Sequence, residues 1–230
     1  PIAWPAGNDH TRIDPELFEK NADGVVKTIV LVGDWQKRSG VPQGSNIYLE
    51  HLEVPSDGTL EILNTKDGVK ELGPVRLWLG PAGSAGGTFD MLAGTVLVRA
   101  EPNPGLADPE ASPHRLLIFN ETQTPLRIGD RLVAEDSNGH PGLYAFMYAF
   151  NGAVGSEYGT VRILPMADNS SFKLRGGIVA WSLEQLGGGK LDAYMLPPRG
   201  ERDPLMYVLY YATTATWSEP NRYSSSSCTF

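Results

Sequence analysis

The chain is short of the residues that most function classes rest on. It has a single cysteine, Cys228, in a Ser-rich stretch with no histidine beside it. One cysteine excludes an intrachain disulfide framework. A catalytic thiol also needs an activating base and an electropositive niche, so Cys228 reads as inert. Positive charge is equally scarce: the formal net charge is −8 with a pI near 5.0, and the densest basic pair is Lys37–Arg38. Nucleic-acid binding rests on a basic footprint, so no direct nucleic-acid contact is expected, and the acidity reads as a solubility device. No apolar run approaches the ~20 residues of a membrane-spanning helix. The N-terminus carries no signal-peptide pattern, and the opening Pro1, where a Met would start a chain, suggests processing.

What the chain has in quantity is glycine (26) and proline (18), without a collagen-like period. They punctuate short β-branched and aromatic runs, which is an all-β signal. Strand-like runs are expected at 25–35 (VVKTIVLVGDW), 46–54, 59–63, 74–80, 88–100, 114–120, 125–136, 142–152, 158–166 and 205–217. In 46–54, Ile47 and Leu49 should face one way and Tyr48, Glu50 and Leu52 the other. Residues 14–24 read as a turn or two of helix, with Asp14 as N-cap and Pro15 at the first helical position. Residues 1–24 are otherwise irregular, and 218–230 form a polar tail.

Such runs at near-regular spacing, with turn chemistry between them, predict one antiparallel β-sandwich over residues 1–230. It would be jelly-roll-like, with long Gly/Pro-rich loops. No internal repeat at a fixed period is visible, which argues against a propeller or solenoid. The loops 80–87, 101–113 and 134–142 should face outward, with 101–113 the most exposed.

No constellation points to catalysis, a cofactor or a metal. His10, His51, His114 and His140 are far apart, and in "EHLE" Glu50 and His51 would point to opposite faces of a strand. "GPAGSAGG" (80–87) lacks the Gly-Lys-Ser/Thr ending that grips phosphates. The stretch 129–140 gathers Asp130, Glu135, Asp136 and His140, without the spacing of a Ca²⁺ loop. Two glycosylation triplets occur, at Asn120 and Asn169. Tyr144, Phe146, Tyr148 and Phe150 alternate with smaller residues and share one strand face. A core face has that pattern, and so does a stacking platform for sugars. Trp78, Tyr144, Tyr148 and Trp217 are the candidate surface-binding residues.

Residues 172–198, "FKLRGGIVAWSLEQLGGGKLDAYMLPP", read as a hairpin turning at the triple glycine and ending at two prolines. Phe172, Arg175-Gly176, Gly189-Lys190-Leu191, Tyr194, Pro197-Pro198, Gly200 and Pro204 stand here in order. Thr213, Thr216, Trp217 and the closing "SSSSCTF" follow. This run of about 60 residues, a quarter of the chain, resembles jelly-roll capsid proteins of picornavirus-like viruses. The resemblance implies a non-enzymatic viral structural protein, a capsid subunit or protruding capsid domain. It would self-assemble with its own copies or sister subunits and reside in the virion. The alternative is an extracellular carbohydrate- or receptor-binding β-domain such as a spike, adhesin or lectin-like module. A glycan-active enzyme ranks behind both.

Overall fold

A computed structural model describes residues 11–18, 28–33, 37–38, 41–42, 44–63, 73–81, 83–100, 110–149, 159–166, 171–187 and 189–194. The strands are β1 (Thr11–Ile13), β2 (Thr28–Val32), β3 (Lys37–Arg38), β4 (Val41–Pro42), β5 (Ser45–Glu53), β6 (Thr59–Leu63), β7 (Val75–Leu79), β8 (Phe89–Met91) and β9 (Thr95–Val98). They continue with β10 (Leu116–Asn120), β11 (Leu126–Gly129), β12 (Val133–Asp136), β13 (Leu143–Ala149), β14 (Thr160–Met166), β15 (Ser171–Ala180), β16 (Ser182–Gly187) and β17 (Lys190–Tyr194). Helix is confined, among the described residues, to single 3₁₀ turns at Pro15–Phe18 and Pro113–Arg115. The first is the expected start after Asp14, whose carbonyl accepts from Leu17 N.

The strands are β, as expected, but the expected antiparallel sandwich is wrong. Among the described residues every strand pairing in the two large sheets is parallel; antiparallel pairing is confined there to the β3–β4 ribbon and an isolated bridge between Glu135 and Pro141. The eleven-stranded sheet curls into a half-barrel about the core. Its hinge is β5. Ser45–Leu49 pair with β7, whereas Leu52 and Glu53 pair with β8. The strand bends between them, so Leu49 and Leu52 both lie in the core at 0% exposure. The expectation that these two leucines face opposite ways fails at that bend.

Following the chain gives a coil. It runs along one face (β2), turns through the two halves of β5, and returns beside its starting strand as β6. The sequence β6, β7, β8 then repeats as β9, β10, β11 and as β12, β13, β14. The first face is β2-β6-β9-β12. The second is β5-β7-β10-β13-β15-β17, and the third is β5-β8-β11-β14-β16 with β1 beside β5. The architecture is thus a parallel solenoid, which the missing period had argued against. The chain takes 30 residues from Tyr48 to Trp78, 41 from Trp78 to Phe119 and 29 from Phe119 to Tyr148. Loops of unequal length between faces erase the period, while the strands stay in register.

Register stacks like on like. Inward columns run Ile29–Leu60–Val96–Ala134 on the first face. On the second they run Ile47–Leu77–Ile118–Met147–Ile178, and on the third Leu52–Phe89–Leu126–Val161–Leu183. Most members are buried to within a few per cent, each contributing about 1.5–3 kcal/mol by leaving water. Corners are tight. At Gly94 (φ +77°) a Cβ would strike the Pro55 carbonyl, so no side chain fits there. The expected 172–198 hairpin is likewise replaced. Gly187 (φ +92°) turns the chain from β16 on the third face to β17 on the second, and β17 pairs in parallel with β15.

Candidate interaction surfaces

Parallel register places outward side chains of the second face in columns too. Tyr48, Trp78, Phe119 and Tyr148 occupy one in-register column from β5 to β13. Trp78 and Phe119 stack at 4.1 Å between ring centroids with an 11° interplanar angle, and Phe119 and Tyr148 at 5.0 Å and 10°. Tyr48 lies 6.5 Å from Trp78, and Trp78 Nε1 donates to Asn46 Oδ1 at 3.0 Å. All four rings are half-buried. At about 4.8 Å per strand the strip is roughly 14 Å long. Its ring faces are turned toward one another, so it presents edges outward. That geometry binds the turns together and leaves little open ring face for a sugar.

The four candidate surface residues therefore part company. Trp78 and Tyr148 share this ladder, though sequence distance hides it. Tyr144 is 0% exposed, covered by the segment before β10, and its hydroxyl donates to Glu110 Oε2 at 3.4 Å. Burial, with Asp136 and Glu110 nearby, pushes its phenol well above the ordinary tyrosine range. Phe146 is 8% exposed and packs on His114, with ring centroids 5.0 Å apart. Trp217 and Phe150 lie outside the described residues, as do 101–109 of the expected outer loop. Tyr48 and Phe119 join them in the ladder although neither stands out in the sequence; their signal is one aromatic at the same strand position in successive runs.

The acidic cluster at 129–140 divides similarly. Asp136 points inward at 1% exposure and accepts from Ala111 N (3.0 Å), Asn138 N (2.9 Å), His140 N (3.0 Å) and His140 Nδ1 (2.8 Å). It clamps the return loop over β12, where Gly142 N donates to the Ala134 carbonyl at 2.7 Å. Asp130 and Glu135 instead line a cleft of about 260 Å³ with Lys173 and Phe172. Among the described residues no group of three or more His, Cys, Asp or Glu is set to hold a metal ion. In "EHLE", His51 Nε2 lies 3.3 Å from Asp14 Oδ1 and 3.5 Å from Glu53 Oε2, tying β1 to β5.

The third face ends differently. β16 is the last strand of its sheet among the described residues, and the loop that covers β12 has no counterpart on it there. Leu183 closes the column Leu52–Phe89–Leu126–Val161 at 37% exposure, beside Trp181 at 55% and Leu186 at 46%. Glu184 is neutralised by Arg162, 2.6 Å away on β14. Three large apolar side chains, Trp181, Leu183 and Leu186, are thus exposed at this edge, beside the polar Ser182 and Gln185. Comparison with protein-family models, curated proteins and solved structures found no significant match. Among the described residues no helix is long and apolar enough to cross a membrane.

Proposed function

We propose that the chain is a structural protein that works by associating with copies of itself, as a subunit of a larger assembly such as a virion. The edge at β16, open among the described residues, carries this reading. A parallel edge strand offers unpaired N–H and C=O groups, a template for another strand. Here that edge coincides with the end of a core column at Leu183, 37% exposed and without a covering strand among the described residues, flanked by Trp181 and Leu186. At the opposite end of the coil, β2 is also an edge among the described residues, with Val30 43% exposed. A second copy set head to tail continues the parallel strand spacing, and such a heterologous contact propagates. The jelly-roll capsid fold no longer supports the reading; the geometry of this edge does. Sister subunits in place of identical copies fit the same surface.

The test is sedimentation velocity over a hundredfold concentration range, comparing the natural chain with a Trp181→Lys, Leu183→Glu variant. The comparison is made on a variant whose circular dichroism matches that of the natural chain. Association that grows with concentration in the natural chain and disappears in the variant is the expected result. A natural chain that stays monomeric throughout, or a variant that associates equally, contradicts it.

A second reading, a carbohydrate- or receptor-binding β-domain, draws on the aromatic ladder, whose edge carries polar Asn46 and Arg76 beside the rings. A glycan array probed with the natural chain and with Trp78→Ala separates the two: a hit lost in the variant favours binding.

A further inference from the structure

We infer that the triplet Asn120-Glu121-Thr122 is closed to N-glycosylation in the folded chain, because its own polar atoms build the corner between the second and third faces. Asn120 ends β10 at 1% exposure, pairing with Leu79 on β7, and Thr122 is 0% exposed. The Asn120 Oδ1 accepts from Thr122 N at 3.1 Å and from the Thr122 hydroxyl at 2.7 Å. Thr124 N donates back to that hydroxyl oxygen at 3.1 Å. The nitrogen that would carry a glycan, Nδ2, donates to the Thr124 carbonyl at 2.9 Å. Side chain and backbone close a turn of the Asx type, and the two residues a transferase would read are its parts.

The corner is held from outside as well. Gln123 N donates to Ser84 O and Gln123 Nε2 to Gly83 O, both at 2.8 Å, and the Thr124 hydroxyl donates to Gly86 O at 3.0 Å. These bonds seat it on the corner one turn earlier. Glycan transfer forms a bond between Nδ2 and the anomeric carbon of a lipid-linked oligosaccharide. Nδ2 gives up a proton and the lipid diphosphate leaves. The product puts a bulky polar group on a side chain that is 1% exposed and whose Nδ2 is already bonded, so the corner must open first. A glycan at Asn120 and the folded coil exclude each other. On a secretory route the triplet is thus a liability of timing, whereas folding first protects it.

The experiment incubates purified oligosaccharyltransferase and a lipid-linked oligosaccharide with two full-length chains. One is the folded natural protein; the other is unfolded by Leu60→Asp and Leu77→Asp, as checked by circular dichroism. Occupancy at Asn120 is read by site-resolved mass spectrometry after enzymatic deglycosylation in ¹⁸O water, which separates it from Asn169. The expected result is modification of the unfolded chain and a rate at least about 100-fold lower at Asn120 in the folded one, as for any buried group reached only through opening. Modification of the folded chain within a few-fold of the unfolded rate overturns the inference.

Discussion

Asp136 occupies the end of an inward column that otherwise runs Leu31, Ile62 and Val98. A carboxylate is tolerated there because every lone pair that matters is met. Burial is the largest single influence on its proton affinity and pushes it up. The His140 ring and the backbone N–H groups of His140, Ala111 and Asn138 together outweigh burial and hold it below the ordinary carboxylate range. A depressed folded-state pKa means the clamp contributes fully above the unfolded carboxylate pKa, about 3.9. It is lost as pH falls through the lower folded value. Urea denaturation should therefore show stability falling below roughly pH 4. Asp136→Asn should cost about 1–3 kcal/mol at neutral pH and flatten that acid limb. An unchanged acid limb in the variant would assign it to other carboxylates. Trp78 makes a contrasting case, half-buried yet stacked between two rings and bonded to Asn46. Trp78→Ala should destabilise by about 2 kcal/mol in the same assay; no change in the urea midpoint would mean the ladder is decoration.

Single elements were legible where alternation alone decides them. In β7, Val75, Leu77 and Leu79 turn inward while Arg76 and Trp78 turn outward, as the run VRLWL indicates. β13 keeps its alternation too: Leu143, Ala145, Met147 and Ala149 lie on the inward side, and Tyr144, Phe146 and Tyr148 share the other side, where Tyr144 is itself buried under the segment before β10. What alternation does not encode is the neighbour. A strand with one face inward looks the same in a sandwich and in a coil, so the direction of pairing was invisible. The bend in β5, which sends Leu49 and Leu52 to the same core, has no local marker between Glu50 and His51. The candidate surface was half legible for the same reason. Trp78 and Tyr148 stood out as aromatics, but only parallel register joins them to Tyr48 and Phe119. Leu183 gave no signal at all, since its exposure follows from β16 being an edge rather than from its own surroundings in sequence.

For the described coil as a whole, stability rests on stacking of like residues through successive turns, as in other solenoids, where each repeat mainly contacts its neighbours. The unequal turns, 30, 41 and 29 residues along the aromatic column, explain why no period surfaced in the sequence. The same logic makes both the ladder and the open end at β16 consequences of one fact, parallel register. That register can be read directly with pairs of cysteines on β9 and β12, in a Cys228→Ser background. Adjacent strands bring paired Cα atoms to about 5 Å, within disulfide range, and Thr95, Leu97, Val133 and Glu135 all lie off the core columns. Parallel pairing predicts ready oxidation of Thr95→Cys with Val133→Cys and of Leu97→Cys with Glu135→Cys, and little in the exchanged combinations. Cross-linking of Thr95→Cys with Glu135→Cys and of Leu97→Cys with Val133→Cys instead would show an antiparallel pair and contradict the coil.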